Sequence, residues 1–168
     1  MDKQLLSDDQ AARTAALNVS RSFIIQAPAG SGKTELLIQR FLSLLAVVEN
    51  PEEVIAITFT RKAAAEMQLR VLEALNLAQE GVEPLEEHER TTFKIATTAL
   101  EKSDTLQWNV IGNPRRLRIL TLDALNASIA RSQLLRANGA GSRIVVAAEL
   151  LAVNQAAAIA TLDYLTDT

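Results

Sequence analysis

Eight consecutive residues, Ala27-Pro28-Ala29-Gly30-Ser31-Gly32-Lys33-Thr34, carry the densest chemistry in the chain. Glycine tolerates left-handed backbone, so Gly30 and Gly32 let the chain curl with its N–H groups free of side chains. A β-rich run, Ser22-Phe23-Ile24-Ile25-Gln26, leads in, and an apolar-rich helix is predicted from Thr34 to about Val48. A helix start offers unpaired amides and the positive end of a dipole. Together these make a cup for a polyanion such as the tail of a nucleoside triphosphate. Lys33 is placed to meet the β- and γ-phosphates, and the Thr34 hydroxyl to ligate Mg²⁺. A chance glycine turn is the other reading; the strand before and the helix after favour the phosphate loop.

The remaining elements must hold that loop in place. Ser7-Asp8-Asp9-Gln10 opens a predicted helix to about Leu17. Asn50-Pro51-Glu52-Glu53 is a break, and Val54 to Phe59 reads as a buried strand. A long helix is predicted from near Thr60, with Ala64, Met67, Val71, Leu75 and Ala78 at three- and four-residue spacing as its buried stripe. Glu66 and Arg70 on its outer side are spaced to pair. Gly81 to Glu89 reads as an acidic loop and Arg90 to Lys102 as a helix. Asn113-Pro114 marks a turn, Leu117 to Leu122 a third strand, and Asp123 to about Leu135 a helix. Asn138-Gly139-Ala140-Gly141 is the expected boundary between residues 1–141 and 142–168, the latter beginning with a strand near Ile144–Val146 and ending in an alanine-rich helix. Alternating strands and helices predict an α/β fold, a parallel sheet with helices on both faces.

The totals exclude several classes. Of 168 residues, 48% are hydrophobic and 22% charged, the range of a globular domain with a real core. The formal net charge of -3 gives no support for nucleic-acid binding, so any such site must come from local placement. With no cysteine, disulfides, thiol catalysis and thiolate metal sites are excluded, and a reducing, cytoplasmic setting is expected. No secretion signal or membrane-spanning run is legible.

Further segments narrow the kind of phosphate-loop protein. The loop matches the Walker A pattern, with Ala27 at its first position. Val54-Ile55-Ala56-Ile57-Thr58-Phe59-Thr60-Arg61-Lys62-Ala63-Ala64-Ala65-Glu66-Met67 resembles motif Ia of the UvrD/Rep-type superfamily-1 helicases. Leu6-Ser7-Asp8-Asp9-Gln10 resembles their Q motif. Asn113-Pro114-Arg115-Arg116-Leu117-Arg118-Ile119-Leu120-Thr121-Leu122-Asp123-Ala124-Leu125 is similar to the Thr-Ile-Asp-Ala-Phe segment of the RecB/AddA branch, helicase–nucleases of double-strand-break repair. The resemblance spans Leu6 to about Leu125.

It implies an incomplete RecA-like P-loop domain 1A, followed by the start of a helical insertion called 1B. It implies ATP and Mg²⁺ as cofactors. Gln10 would hydrogen-bond the adenine edge, and Ala27 to Thr34 would hold the phosphates. Thr58, Phe59, Thr60 and Arg61 would face DNA, with Thr121 and Asp123 near the same strand. It implies a DNA partner, an AddB/RecC-like subunit in the full protein and no membrane.

Plainer readings stand beside these. Ser7-x-x-Gln10 is also a capping box. Phe59 is also suited to a core, and Thr60 to a helix cap. Arg115, Arg116 and Arg118 fit a DNA groove or a solvated turn equally. Two departures stand out. Glu35 occupies a position where the UvrD/Rep branch usually has an arginine near the base, and Leu125 stands where Phe is usual. Hydrolysis also needs a carboxylate for Mg²⁺ and one for water, which the family places as an Asp-Glu pair. Ala124 follows Asp123, and no Asp-Glu pair occurs in the chain. The expectation is therefore an amino-terminal part of a helicase–exonuclease that is not catalytic alone. The alternatives are another P-loop ATPase using Asp123 as its magnesium acid, and a non-catalytic nucleotide or single-strand-DNA module.

Overall fold

The structure, a computed structural model, describes residues 3–28, 30–133 and 155. The chain divides into two units, Met1–Leu125 and Asn126–Thr168. The expected boundary at Asn138–Gly141, the strand near Ile144 and most of the expected terminal helix lie outside the described residues.

Among the described residues, five α-helices and two strands follow one another in the order α1 (Lys3–Ala16), α2 (Lys33–Leu45), β1 (Ile55–Thr58), α3 (Arg61–Glu80), α4 (Glu87–Thr105), β2 (Arg118–Thr121) and α5 (Leu122–Gln133). β1 and β2 pair in parallel, with Ile55 opposite Arg118 and Thr58 opposite Thr121. Both strands therefore end at the same level. The α/β expectation holds in this form, a mixed structure with a small parallel sheet.

The core forms where helical periodicity and sheet meet. All five residues of the α3 stripe, Ala64, Met67, Val71, Leu75 and Ala78, are buried. They pack with Ile38, Phe41, Leu42 and Leu45 of α2, Ala96 and Ala99 of α4, and Leu117 and Ile119 at β2. α3 touches both strands, α2 and α4, so it is the central strut. Glu66 and Arg70 pair on its outer face at 3.0 Å.

Four expectations are corrected. Ser22–Gln26 is not a strand: residues 22–28 carry no regular structure, and Ile24 is fully exposed. A strand exists through its neighbour's hydrogen bonds, and among the described residues none lies alongside this run. α1 begins at Lys3, so position 7 lies within the helix and not at its start. α4 begins at Glu87, inside the expected acidic loop, and runs on to Thr105. The cover of helices on both sheet faces is also not seen: Ile55 and Ile57 are 43% and 52% exposed.

Within the basic turn before β2, Arg115 is exposed and Arg116 is engaged. Arg116 grips both carboxylate oxygens of Glu52, at 2.6 and 3.1 Å, and donates to the Trp108 carbonyl at 2.9 Å. Trp108 is buried, and its indole N–H donates to the Glu49 carbonyl at 3.1 Å. The entry to β1 and the entry to β2 are thus stapled together. The Arg116 hydrogen bond holds the Glu52 carboxyl below its ordinary pKa, against a smaller opposing effect of burial.

Leu75→Ala should lower unfolding free energy by ~2–5 kcal/mol in urea titration, because a fully buried side chain leaves a cavity. Leu69→Ala, on the exposed face of the same helix, should stay within about 0.5 kcal/mol. The Glu52 carboxylate is favoured by folding, so its contribution is complete above the ordinary carboxylate range and lost as pH falls through its lowered value. The melting temperature of wild type should exceed that of Glu52→Gln at pH 7, with the gap closing below about pH 4. An unchanging gap from pH 7 to pH 3 would refute the pairing.

Candidate functional site

The glycine loop expected to hold phosphate is shaped by its backbone geometry. Gly30 and Gly32 have φ of 76° and 75°, left-handed values that favour glycine. A Cβ at Gly30 would meet nothing within 4 Å, so conformation rather than crowding demands glycine, and open space lies beside it. Gly32 is the residue before α2, and the first helical bond runs from the Leu36 amide to the Gly32 carbonyl at 3.1 Å. The amides of Lys33, Thr34 and Glu35 precede any intrahelical partner.

Two cations hold the carbonyl side of the loop. Lys33 Nζ donates to the Ala27 carbonyl at 2.7 Å and to the Pro28 carbonyl at 2.5 Å. Arg13, from α1, donates to the Ser31 carbonyl at 2.5 Å. Arg13 and Lys33 both line a cavity of about 350 Å³, with Asp9, Ala12 and Phe23 on its walls. That volume suits a small ligand. The Ser31 hydroxyl is buried without a hydrogen-bond partner among the described residues. A buried polar atom normally has a partner, and a bound phosphate oxygen would supply one. The residues present thus fit a nucleoside triphosphate. Thr34 is exposed in the first turn of α2. Gln10 is exposed on α1, outside the lining of that cavity. Ala29 lies outside the described residues.

Glu35 faces away from this chemistry. Its carboxylate accepts from the Thr92 hydroxyl of α4, and that hydroxyl accepts from Gln39 Nε2 at 2.9 Å. Sequence reasoning marked Glu35 as a departure but could not find Thr92, 57 residues away. Arg13 was also missed, although its four-residue spacing from Asp9 was a usable signal.

A second surface lies where the parallel strands end. Phe59 follows β1 and is 95% exposed, so it is not a core residue. The Thr58 hydroxyl donates to the Thr60 carbonyl at 3.0 Å. The Thr60 hydroxyl caps α3 by accepting from the Ala63 amide at 3.1 Å. Thr121 repeats the device: its hydroxyl accepts from the Ala124 amide at 3.2 Å, at the start of α5. Arg61 is exposed in the first turn of α3, and Asp123 in that of α5. Thr58, Phe59, Thr60, Arg61, Thr121 and Asp123 therefore converge on one sheet edge, with two helix starts beside them. Arg115 is exposed nearby in the chain, whereas Arg116 is committed to Glu52. No group of three metal-ligating side chains comes together among the described residues. No described helix is long and apolar enough to cross a membrane.

Residues 8–165 match the UvrD/REP helicase N-terminal domain. The chain belongs to that family. It is 41% identical over 78 residues to DNA helicase II of Salmonella typhimurium, a match covering 46% of this chain and 11% of that protein. It is 39% identical over 72 residues to an ATP-dependent helicase/nuclease subunit of Bacillus velezensis, covering 41% of this chain and 6% of that protein. DNA helicase II of Escherichia coli is 38% identical over 78 residues, with 46% and 11% covered. The chain thus matches only about a tenth or less of the length of these relatives. No solved structure matches it.

Replacing Thr60 by Ala should destabilise the chain by about 1 kcal/mol through the lost cap. Phe59→Ala, with its ring in solvent, should leave the stability within about 0.5 kcal/mol of wild type. A large loss for Phe59→Ala would place that ring in a core and remove it from the surface.

Proposed function

We propose that this chain is the ATP-binding, amino-terminal part of an ATP-dependent DNA helicase, of the helicase–exonuclease kind that acts in double-strand-break repair. The observation that carries the reading is the pair of left-handed glycines delivering Lys33 and Thr34 into the first turn of α2. Amides of the loop and helix start would cradle the phosphates of ATP, and the Lys33 ammonium would exchange loop carbonyls for phosphate oxygens. Mg²⁺, held in part by the Thr34 hydroxyl, would supply charge neutralisation at the β- and γ-phosphates. Gln10, exposed on α1, is assigned to the adenine edge by its motif.

The strand-end surface is the DNA side of this reading. An exposed ring stacks on any base, which suits a motor that must ignore sequence. Helix-start amides, threonine hydroxyls and Arg61 suit phosphates. Sheet ends of this kind are where ligands of α/β proteins gather. The helicase/nuclease relatives support the nuclease-linked branch alongside DNA helicase II relatives of similar identity, and on that reading a second subunit of AddB/RecC type would be the partner. Residues 1–168 contain no Asp-Glu pair, so on this reading they bind nucleotide weakly and do not turn it over.

Titration with a fluorescent ATP analogue and Mg²⁺ should give saturable binding that Lys33→Ala weakens by about tenfold or more, roughly 1.4 kcal/mol. Phe59→Ala should weaken single-stranded DNA binding by ~1–3 kcal/mol and leave nucleotide affinity intact. Asp123→Ala should act with Phe59→Ala. If it instead abolishes Mg²⁺-dependent nucleotide binding, Asp123 is a magnesium acid and the protein is a different P-loop ATPase. Appreciable DNA-stimulated hydrolysis by residues 1–168 would overturn the non-catalytic assignment.

A further inference from the structure

A peptide unit is planar and trans, so its C=O and N–H point in opposite directions. Whatever captures the Ser31 carbonyl therefore aims the Gly32 amide the other way. That captor is Arg13, which lies 18 residues earlier on α1. Its guanidinium spans two acceptors at once: Nη2 donates to the Ser31 carbonyl at 2.5 Å, and Nε to Asp9 Oδ2 at 2.7 Å. The side chain is 31% exposed, with one face against the loop. A Cβ at Gly32 would stand 3.3 Å from Arg13 Nη1, so the guanidinium rests on the very residue whose amide it orients. Gly32 is favoured by its φ of 75°, and an added Cβ would also press on the Arg13 guanidinium, which would have to shift by a few tenths of an ångström.

We propose that Arg13 is a positioning residue of the phosphate loop: by tying back the Ser31 carbonyl it turns the Gly32 amide outward, toward where the triphosphate binds. This rests on the nucleotide-binding reading above. Lys33 Nζ ties back Ala27 and Pro28 in the same sense, but a lysine that moves to phosphate must release them. Arg13 need not move, because its planar fork is held at the other end by Asp9. The Ser31–Gly32 peptide would keep its orientation when Lys33 leaves. A lysine at position 13 could reach one acceptor or the other, not both with fixed geometry.

The test compares Arg13→Ala, Arg13→Lys and Asp9→Asn with Arg40→Ala. Arg40 anchors the end of α1 through the Ala16, Asn18 and Arg21 carbonyls and has no part in the loop. Two readouts are used: the Gly32 amide nitrogen resonance without nucleotide, and affinity for a fluorescent ATP analogue with Mg²⁺. The nitrogen of Gly32 senses hydrogen bonding at the carbonyl of its own peptide. Arg13→Ala should move that resonance and weaken nucleotide by about tenfold, the worth of one hydrogen bond to a charged group. Arg13→Lys should fold as wild type and recover the affinity only in part. Asp9→Asn should act in the same direction but more weakly. Arg40→Ala should lower the melting temperature and leave both readouts near wild type. An unmoved Gly32 resonance in Arg13→Ala and Arg13→Lys would overturn the proposal, as would Arg40→Ala reproducing both effects. If wild type takes up no nucleotide, the function proposed above fails, and the Gly32 resonance still decides the role of Arg13.

Discussion

A loop that turns its amides toward a ligand turns the carbonyls of the same peptides the other way, where donors must satisfy them. In this chain cations do so, with Arg13 on Ser31 and Lys33 on Ala27 and Pro28. The two left-handed glycines make that arrangement possible, since each reverses the local peptide orientation without a Cβ in the way. Rigidity comes from α2, which starts at Lys33 and buries Leu36, Ile38, Phe41, Leu42 and Leu45 in the core. The loop is therefore fastened at its exit to the hydrophobic core and braced from behind by α1.

What could be read in the sequence was what depends on neighbours along the chain. The α3 stripe is a matter of helical period, and all five of its residues are buried. The two glycines, Lys33 and Thr34 are contiguous, so their conformation was foreseeable from residue type alone. β1 and β2 were found within a residue or two because short apolar runs between turns have few other uses. The run Ser22–Gln26 has the same composition yet forms no strand, because strand formation is a property of a pair and not of a segment.

Long-range polar contacts were illegible for a related reason. Arg116 had two plausible surface roles by sequence and has a third in the structure, with Glu52 as partner 64 residues away. Nothing local distinguishes an arginine that will meet a carboxylate across a fold from one that will stay in water. The strand-end surface was half legible. Phe59 could have been core, and only its 95% exposure separates the cases. The threonine capping of α3 and the DNA role assigned to Thr60 are compatible, since a hydroxyl that accepts from an amide still has its own hydrogen to donate.

Glu35 follows from the same accounting. An acid in the first turn of α2 complements the helix dipole. A carboxylate so near a triphosphate would repel it if turned toward the loop. The structure turns it instead to the Thr92 hydroxyl, and Thr92 in turn takes the Gln39 amide, so the charge serves to fasten α4 to α2. An arginine at this position would have been free to reach toward the base. On the nucleotide-binding reading, with Glu35 engaged elsewhere, recognition of a base would fall to groups on other elements. α1 is the element that already touches the loop, through Arg13. Helix α1 would thus couple whatever it reads of the base to the orientation of the phosphate-binding amides.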